Sequence, residues 1–444
     1  MTDQAIAPAN ERPGSAQEPD YEVVVIGAGV AGIYQIKRLI DLGVNATVLD
    51  GNADLGGTWY KNRYPGARFD SESFTYGYSF SRELLDEWDW TEQFSPQPET
   101  LRYLNYVADK FGLREHLQFN CRVKSMVFDE NTDTWTLVLD DGRKLTTRFV
   151  VTALGVLSIP TLPKFEGMDS FNGPSFHSFD WPHDPIDLKG KRVAVIGTGA
   201  TAIQLIPEVA REAEQLTVFQ RRPNWAAPLN NAPISKTEMT AIRARYDEIF
   251  ATCERTPGGF EHEPDRRGFY EVSPEERRKL WDRLYDEPGF GIWLRNFVDI
   301  FVDEAANAEF SEYIADRIRQ RVDDPEIAEK LIPKDHGFGI QRVPLETNYF
   351  ETYNRDNVEL VDSEQTPIVR ITPAGLETTD RTFDFDVIVY STGFDSFTGA
   401  FDRIDIQGLD GARLRDKWAD GPVTYLGTMI SGFPNLLMLA GPQT

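Results

Sequence analysis

Two glycine-rich loops are the parts of this sequence whose residue types and spacing most directly indicate chemistry. Each follows an apolar stretch of strand length and opens a helical stretch. The key positions are Gly27, Gly29 and Gly32 in the first loop and Gly197, Gly199 and Ala202 in the second. Such spacing permits a tight turn and lets backbone N–H groups at a helix N-terminus approach a pyrophosphate. The sequence therefore predicts two dinucleotide-binding sites, the alternative being glycine turns required only for packing.

The residues that end the second strand after each loop predict which dinucleotide binds. Asp50 ends the first of these strands, and its carboxylate can accept hydrogen bonds from a free ribose, as in FAD or NAD. Arg221 and Arg222 end the other strand, where a guanidinium can hold a 2′-phosphate and a carboxylate would repel it. We therefore predict FAD or NAD at the first loop and NADPH at the second. The alternative for the two arginines is a solvated strand end.

FAD and NADPH together indicate a flavoprotein reductase or a monooxygenase. Cys121 and Cys253 are the only cysteines and lie far apart in the sequence. The CxxC pair of a disulfide reductase is therefore absent, as are metal-site spacing and a disulfide framework. This cysteine usage suits a reducing cytoplasm.

Two further segments have compositions that are unusual for surface loops. Residues 56–81, GGTWYKNRYPGARFDSESFTYGYSFS, are dense in glycine, aromatic residues and arginine. This segment is typical of a loop packed on a ring system, and Arg63, Arg68 and Asp70 are predicted to form an ionic set within it. Residues 171–182, FNGPSFHSFDWP, lie between the two glycine loops. Taken alone, that second segment would be an aromatic-rich connector with a buried histidine.

Together these motifs closely resemble the type I Baeyer–Villiger monooxygenases, whose signature is FxGxxxHxxxW(P) between two GxGxxG/A loops. The signature positions, in order and spacing, are Phe171, Gly173, His177, Trp181 and Pro182. Further matches are Ser-Thr-Gly-Phe-Asp at 391–395 and Gln341-Arg342 followed by Asn-Arg-Asp-Asn at 354–357. The resemblance covers residues 21–444.

The resemblance implies flavin-dependent insertion of one oxygen atom from O2 next to a ketone carbonyl, giving an ester or lactone. In the family, NADPH reduces FAD and a flavin C4a-peroxide attacks the ketone. Such a reaction needs excluded water and a positive charge near an alkoxide-like adduct. By resemblance, Arg342 supplies this charge and contacts the nicotinamide, and Asp70 pairs with Arg342. The alternative for Arg342 is a surface salt-bridge partner.

The same resemblance implies a set of cofactor-binding residues. The positions that match family contacts to FAD are Thr58, Trp59, Tyr60, Lys61, Asp70 and Tyr76. Those that match contacts to NADP are Thr198, Gly199, Ala200, Thr201, Ala202, Ile203, Gln204, Arg221 and Arg222. Arg68, Phe69, Val123, Gln341 and Arg342 complete the predicted cofactor-binding set. His177 is expected to be a hydrogen-bonding post between the domains, not an acid or base.

Two departures from the family pattern carry expectations of their own. Gln341 stands where the family commonly has lysine, so discrimination against NADH is expected to be weaker, by about 1 kcal/mol for one exposed charge contact. The chain stops after NLLMLAGPQT at 435–444, where the family continues, so we expect a fragment or a truncated form with a weakened flavin site. The alternatives are a flavin monooxygenase of nitrogen or sulfur centres, disfavoured by Trp181-Pro182 and Arg342, and a truncated, catalytically silent flavoprotein.

The elements that must position these residues follow an α/β plan. Residues 21–50 and 191–222 each read as a strand, a glycine turn, a helix and a second strand. The hairpins at 134–155 and 368–394, each running into an apolar strand, repeat the same closure. We therefore expect two Rossmann-like three-layer dinucleotide-binding domains, the second inserted in the first, with a helical insertion.

The predicted boundaries follow from these patterns. They are a disordered tail at 1–20, an FAD-binding domain at 21–155 and 385–444, an NADP-binding domain at 156–234 and 332–384, and a helical insertion in the NADP-binding domain at 235–331. Within the insertion, capping boxes are expected at Ser235 and at Ser273. Residues Phe310, Ile314, Ile318 and Val322 fall four apart, as in the buried stripe of a helix.

Composition limits the remaining partners. The formal charge of −25 over 444 residues argues against nucleic acid or an anionic membrane surface. No apolar run approaches the roughly 18 residues of a membrane span, and no signal sequence is recognisable. The sequence thus predicts a cytoplasmic enzyme whose partners are a ketone and O2, with no metal.

Overall fold

A computed structural model describes residues 18–443 of the chain as two compact units. Unit 1 contains residues 18–57, 108–156 and 396–443, and unit 2 contains residues 58–107 and 157–395. Most of the predicted tail, residues 1–17, lies outside the described residues. Its last residue, Asp20, accepts hydrogen bonds from the N–H and the hydroxyl of Thr146 at 2.8 and 2.9 Å.

The strands, in chain order, are β1 (Tyr21–Ile26), β2 (Ala46–Leu49), β3 (Leu117–Gln118), β4 (Val123–Asp129), β5 (Thr134–Leu139), β6 (Lys144–Thr152), β7 (Ser175–His177), β8 (Arg192–Ile196), β9 (Gln215–Gln220), β10 (Ala227–Pro228), β11 (Leu345–Glu346), β12 (Val358–Asp362), β13 (Ile368–Thr372), β14 (Gly375–Thr378), β15 (Thr382–Asp384), β16 (Val387–Tyr390), β17 (Asp405–Gln407) and β18 (Leu436–Met438).

The α-helices are α1 (Val30–Asp41), α2 (Thr58–Lys61), α3 (Ser73–Tyr76), α4 (Arg82–Glu87), α5 (Gln97–Lys110), α6 (Ala200–Glu212), α7 (Lys236–Arg255), α8 (Pro274–Asp286), α9 (Gly291–Leu294), α10 (Glu304–Arg321), α11 (Pro325–Leu331), α12 (Tyr349–Thr352), α13 (Gly399–Asp402) and α14 (Leu414–Lys417). None of the helices described between residues 18 and 443 is long and apolar enough to cross a membrane.

Unit 1 is built on an eight-stranded sheet in the order β17-β4-β5-β6-β1-β2-β3, with β18 also paired to β6. β1 is parallel to both β2 and β6, with Val25 opposite Val48 and Val151. These central strands are buried apolar runs, as expected of parallel strands covered on both faces. The first glycine loop follows β1, at the carboxyl end of the parallel strands, where open α/β sheets bind ligands.

Unit 2 repeats this plan in a parallel five-stranded sheet in the order β12-β9-β8-β16-β7. β8 lies between β9 and β16, as β1 lies between β2 and β6. The predicted hairpins are present as β5–β6 and β13–β14. Because β17 and β18 return to the first sheet after all strands of the second, the predicted α/β class with one Rossmann-like unit inserted in the other is confirmed.

The helical region of unit 2 shares a core with its sheet. Both expected capping boxes are present, at Ser235 and Ser273. Three residues of the predicted stripe, Phe310, Ile314 and Ile318, lie on α10, and the fourth, Val322, is its C-cap. All four are buried in the same cluster as the core residues of β8. The helices therefore pack as part of the α/β unit and not as a separate body.

Two stretches lie in a different unit from the one predicted. Residues 387–390, assigned from sequence to the FAD-binding part, form β16, which pairs with β7 and β8 of unit 2, because the closing strand hydrogen-bonds to the first strand of its own sheet. Residues 58–107, predicted within 21–155, cluster with unit 2. There Tyr64 and Arg68 hydrogen-bond to Gln204 of α6.

Candidate active site

The first glycine loop is a turn at the carboxyl end of β1 whose key positions carry no side chains. Gly27 has φ +109°, and a Cβ atom there would lie 2.4 Å from the carbonyl oxygen of Ala153. A Cβ atom at Gly32 would lie 1.8 Å from the Gly27 oxygen, whereas one at Gly29 would meet only the Cα of Gly57 at 3.6 Å. α1 begins here with no side-chain cap and no acidic residue in its first turn. The open backbone fits an anionic group such as a pyrophosphate.

Asp50 follows β2 and holds this loop in place. Its Oδ2 accepts a hydrogen bond from the N–H of Ala28, and its Oδ1 accepts one from the N–H of Asn52, both at 2.7 Å. The carboxylate is buried, and each oxygen keeps a lone pair that a ribose hydroxyl could use. The contact to Ala28 gives Asp50 a second task, orienting the glycine loop, which its position at a strand end did not reveal.

The second glycine loop repeats this geometry at the carboxyl end of β8. Gly197 has φ +110°, and a Cβ atom there would lie 2.3 Å from the carbonyl oxygen of Ser391. At Gly199 a Cβ atom would meet nothing within 4 Å, and α6 begins with neither a side-chain cap nor an acidic first turn. Ala202 and Ile203 are buried beneath the helix start, while Ala200 is exposed. Each loop thus packs on the strand that closes its own sheet, β6 or β16.

Arg221 and Arg222 are exposed beyond the carboxyl end of β9. They line a cleft of about 990 Å³ together with Lys330 and Lys334. The hydroxyl of Thr198 donates a hydrogen bond to the carbonyl oxygen of Arg222 at 3.0 Å, which ties the glycine loop to this strand end. Four cationic side chains near one strand end fit a phosphate group. Acidic residues also line the cleft, namely Glu326, Glu329, Asp335, Asp362 and Glu364.

Arg342 and Asp70, 272 residues apart in sequence, form an ion pair in unit 2. The Nη2 atom of Arg342 donates to Oδ1 and Oδ2 of Asp70 at 2.7 and 2.9 Å. The Arg342 side chain is 57% exposed and that of Asp70 is 10% exposed. The guanidinium is therefore anchored by one nitrogen while much of its surface stays open. The pairing predicted from sequence is present.

Burial and charge act in opposite directions on the Asp70 carboxyl. Burial raises the pKa of Asp70, and the charge of Arg342 lowers it, leaving it above the ordinary value. Tyr64 lies within the influence of both charges, and its burial raises its pKa to about 12, so the phenol is neutral near neutral pH. Its hydroxyl donates to Oε1 of Gln204 at 2.9 Å.

Gln204 joins α6 to the chain segment that carries Asp70. Its Nε2 atom donates to the carbonyl oxygen of Arg68 at 3.0 Å, and its Oε1 accepts from Tyr64. Gln204 was predicted to contact a cofactor, and Thr201 lies one helical turn before it. Tyr64 was not among the predicted site residues. Its only sequence signal was its place in the aromatic-rich segment 56–81.

The aromatic residues of this segment pack on one another. The indole N–H of Trp59 donates to the Tyr76 hydroxyl at 2.7 Å, and Phe69 stacks on Tyr76 with ring centroids 4.3 Å apart. Trp59 and Phe69 are buried, and burial raises the pKa of Tyr76. The carbonyl oxygen of Thr58 accepts a hydrogen bond from the N–H of Asn62 and so closes the turn of α2. A rigid apolar cluster of this kind can exclude water.

The ionic set predicted for Arg63, Arg68 and Asp70 is wrong. Arg68 pairs with Glu92 at 2.9 Å, while Asp70 pairs with Arg342. Arg63 donates to the carbonyl oxygen of Tyr60 and lies over the Tyr60 ring. The three side chains therefore have three different partners, which lie outside the predicted set.

The signature segment forms the edge strand β7 followed by a short 3-10 helix. Phe171 packs on the hairpin face of the sheet, and a Cβ atom at Gly173 would lie 2.5 Å from a backbone oxygen of Asp386. Trp181 is buried in the core of unit 2 and Pro182 is half-buried. These packed residues lie on both sides of β7, the first strand after the chain passes from unit 1 into unit 2, and restrict its movement.

His177 is buried at the end of β7. Its Nδ1 accepts a hydrogen bond from the N–H of Phe179 at 3.1 Å, so a neutral ring carries its proton on Nε2. Burial lowers the pKa of His177, and the charge of Asp180 opposes that effect. Burial therefore favours the neutral form of the ring.

Of the predicted flavin contacts, Lys61 contacts the signature segment and Tyr60 lies near the residue that follows it. Lys61 Nζ lies 2.8 Å from Asp180 and 4.8 Å from the centroid of the Phe179 ring. The ring of Tyr60 lies 5.7 Å from that of His183. The signature is thus joined to the segment 56–81 by an ion pair and by ring contacts.

Two predicted positions have plainer surroundings. Val123 is the first residue of β4, and its side chain is buried in the core of unit 1. Gln341 is exposed next to Arg342. No cluster of three or more histidine, cysteine or acidic side chains able to hold a metal ion occurs among residues 18–443.

Comparison with known proteins gives three kinds of match. Residues 20–229 match the family described as flavin-binding monooxygenase-like. The chain is 49% identical over 434 residues to 2-oxo-Δ3-4,5,5-trimethylcyclopentenylacetyl-CoA monooxygenase of Pseudomonas putida, covering 96% of this chain and 80% of that protein. It is 39% identical over 427 residues to a Baeyer-Villiger monooxygenase of Pseudooceanicola batsensis, covering 96% and 78%. A crystal structure of OTEMO in complex with FAD and NADP superposes with a TM-score of 0.94 at 49% identity, covering 96% and 81%.

Proposed function

Because the chain belongs to the flavin-dependent Baeyer–Villiger monooxygenase family, we propose that it inserts one oxygen atom from O2 next to the carbonyl group of a ketone, giving an ester or a lactone. The proposed cofactor is FAD and the proposed electron donor is NADPH. The observation that carries the proposal is the ion pair of the exposed Arg342 with the buried Asp70, since the reaction needs a fixed positive charge beside a developing oxyanion.

Each glycine loop is proposed to hold one dinucleotide. In unit 1, the loop at Gly27 to Gly32 would hold the pyrophosphate of FAD, and Asp50 would accept from its ribose. In unit 2, the loop at Gly197 to Ala202 would hold the pyrophosphate of NADPH, with Arg221 and Arg222 toward its 2′-phosphate. The open backbone at Gly29 and Gly199 and the uncapped helix starts support both assignments. FAD, once reduced by NADPH, supplies the electrons that activate O2.

Arg342 is proposed as the residue that stabilises negative charge on the reacting oxygen atoms. Asp70 fixes one nitrogen of the guanidinium and leaves the remaining N–H groups to donate to an oxyanion. Arginine stays protonated at any physiological pH, so the charge does not depend on proton transfer. Asp70 acts by positioning this charge, and Gln204 and Tyr64 hold the segment that carries Asp70.

The aromatic cluster of Trp59, Phe69 and Tyr76 is proposed to keep water from the reaction. Trp59 and Phe69 are buried and Tyr76 is half-buried. The Trp59 indole N–H donates to the Tyr76 hydroxyl. Excluding water strengthens the interaction of Arg342 with an oxyanion, because the local dielectric constant falls.

The test is turnover of a ketone panel by the purified, FAD-loaded protein. Acetone, cyclopentanone, cyclohexanone and a steroid ketone would be incubated with NADPH in air, with a thioether in a parallel reaction. Ester or lactone detected by gas chromatography supports the proposal. Consumption of NADPH that yields only hydrogen peroxide from every ketone would reject it, and sulfoxide without ester would point to a monooxygenase of soft centres.

A cytoplasmic location is proposed as well. Cys121 and Cys253 are both free thiols in the structure. Free thiols of this kind persist in a reducing compartment.

A further inference from the structure

The short stretch Arg68–Glu72, called here the anchored segment, presents its alternate charged residues to three separate partners. Arg68 pairs with Glu92 at 2.9 Å, and Asp70 pairs with Arg342 at 2.7 Å. Glu72 pairs with His262, with Oε1 and Nε2 2.7 Å apart. Asp70 thus lies between an ion pair two residues before it and a glutamate–histidine hydrogen bond two residues after it.

The pair at Glu72 is more deeply buried than the pair at Arg68. The side chains of His262 and Glu72 are 7% and 12% exposed, whereas those of Arg68 and Glu92 are 24% and 32% exposed. A partly exposed ion pair orients its members weakly, because water competes for both charges. A buried hydrogen bond to a carboxylate has no such competitor and holds its geometry.

The surroundings leave the Glu72 carboxylate little room to move. Gly289 has φ +77°, and a Cβ atom there would lie 3.0 Å from Glu72 Oε1 and 2.8 Å from the ring of Phe94. The backbone carbonyl oxygen of Glu72 accepts from the N–H groups of Thr75 and Tyr76 and so begins α3. Displacing Glu72 would therefore disturb Asp70 before it and Tyr76 after it.

Neither side chain of the pair has a second hydrogen-bond partner among the residues that the structure describes. Glu72 Oε2 and His262 Nδ1 are both buried without a hydrogen bond. A buried polar pair of this kind is a weak source of stability compared with apolar side chains of similar size, and its attested value is in fixing one arrangement. The pair links the loop between α7 and α8 to the anchored segment, and no step of the proposed reaction uses it directly.

From these contacts we infer that His262 is a positioning residue for the Arg342–Asp70 pair, acting through Glu72 and the anchored segment. The inference rests on the proposed function for its catalytic consequence. Its structural consequence, a segment 68–72 held in one place by His262, stands independently of the reaction catalysed.

The experiment compares three variants of the FAD-loaded, full-length protein. His262→Leu removes the donor while keeping a side chain of related size, and His262→Gln retains an amide donor toward Glu72. Glu309→Leu is the matched control, because it breaks the ion pair of the buried Arg277 with Glu309, within the helical region and away from the anchored segment. Should His262→Leu fail to fold, His262→Asn, whose donor is too short to reach Glu72, takes its place.

Two readouts decide the matter. Hydrogen–deuterium exchange of the peptide covering residues 66–76 is expected to quicken in His262→Leu and to stay near wild type in the other two variants. The rate of ester formation is expected to fall about tenfold or more in His262→Leu, with a larger share of NADPH yielding hydrogen peroxide and little change in KM for NADPH. In His262→Gln, the share of NADPH oxidation that yields ester is expected to return to near the wild-type value.

The inference would be overturned if His262→Leu exchanged hydrogen in residues 66–76 and formed ester from NADPH as the wild-type protein does. It would also be overturned if Glu309→Leu showed the same faster exchange and the same loss of ester formation. If the wild-type protein itself oxidises no ketone, the proposed function fails. Exchange in residues 66–76 then still decides whether His262 positions the anchored segment.

Discussion

Arg342 is exposed and yet fixed, which is uncommon for a surface guanidinium. An exposed ion pair ordinarily constrains a long side chain little, because both charges are well hydrated. Asp70 differs in being buried and in presenting both of its oxygens to one nitrogen of Arg342. The buried Asp70 carboxylate therefore fixes the position of the Arg342 guanidinium, and the rest of the guanidinium remains exposed and able to bind a ligand.

Replacing Arg342 with alanine is expected to abolish ester formation, with a loss of about a hundredfold or more, because removing a preorganised charge at a developing oxyanion has that order of effect. The protein should remain yellow, since FAD is proposed to bind through the glycine loop of unit 1. Product formation and flavin absorbance are the measurements. Arg342→Lys, which keeps the charge but loses the fork, should recover part of the activity. Unchanged ester formation by the alanine variant would contradict the assignment.

At the scale of elements, the carboxyl ends of parallel strands carry the distinguishing residues. Asp50 follows β2, Arg221 and Arg222 follow β9, and His177 ends β7. Strands that run in one direction deliver their last residues to one edge of a sheet, so short loops there bring distant parts of the sequence together.

Replacing Arg221 and Arg222 together with alanine is expected to raise KM for NADPH about tenfold, because charge-assisted hydrogen bonds to the 2′-phosphate are lost. KM for NADH should change little, since NADH lacks that phosphate. Steady-state kinetics with both nucleotides is the measurement. Arg370→Ala, an exposed arginine on β13, serves as the control. Equal effects on NADPH and NADH would show that the two arginines do not read the phosphate.

His177 is expected to make the stability of the protein depend on pH. Burial lowers its pKa in the folded state, so folding favours the neutral ring. The resulting stability is present above the unfolded value of about 6.5 and is lost as the pH falls through the lower folded value. Thermal melting should therefore give a lower Tm at pH 5 than at pH 7.

His177→Asn, whose amide oxygen can still accept from Phe179, should flatten that pH dependence. The variant His183→Asn, at an exposed histidine, is the control and should keep it. A wild-type slope that survives in His177→Asn would assign the effect to other groups.

At the scale of the whole molecule, the chain builds the same Rossmann-like plan twice and places one copy within the other. The two glycine loops share their left-handed first residue, their uncapped helix and their contact to the closing strand. The residues after the second strands then make them chemically different. Two units of the same fold can therefore bind two different dinucleotides, because the residues that follow their second strands differ.

FAD is expected to stabilise the protein by mass action, by about 2.7 kcal/mol of unfolding free energy at a concentration one hundred times its Kd. Scanning calorimetry with and without added FAD measures the shift in Tm. FMN, which lacks the adenosine part that Asp50 and the glycine loop would hold, should give a much smaller shift. Equal stabilisation by FMN would contradict the assignment of that loop.

Local features of this protein could be predicted because they depend on neighbours in the chain. The strands at Ala46–Leu49 and Val387–Tyr390 coincide with their apolar runs, and both capping boxes form where Ser and Glu stand three apart. The pairing of Asp70 with Arg342 was reached only through the family resemblance. The sequence around Asp70 does not indicate that its partner is Arg342, and the sequence around Arg342 does not indicate Asp70.

The two glycine loops, the residues at the strand ends and the starts of α7 and α8 could be predicted from the sequence, because turn geometry and capping are set within a few residues. Only the tertiary structure decided the partners of the segment 56–81. It placed Arg68 with Glu92 and Glu72 with His262, and it gathered residues 58–107 into unit 2. These outcomes depend on which surfaces meet after the chain has folded back over tens to hundreds of residues. Long-range packing of that kind leaves no spacing in the sequence by which it could be recognised.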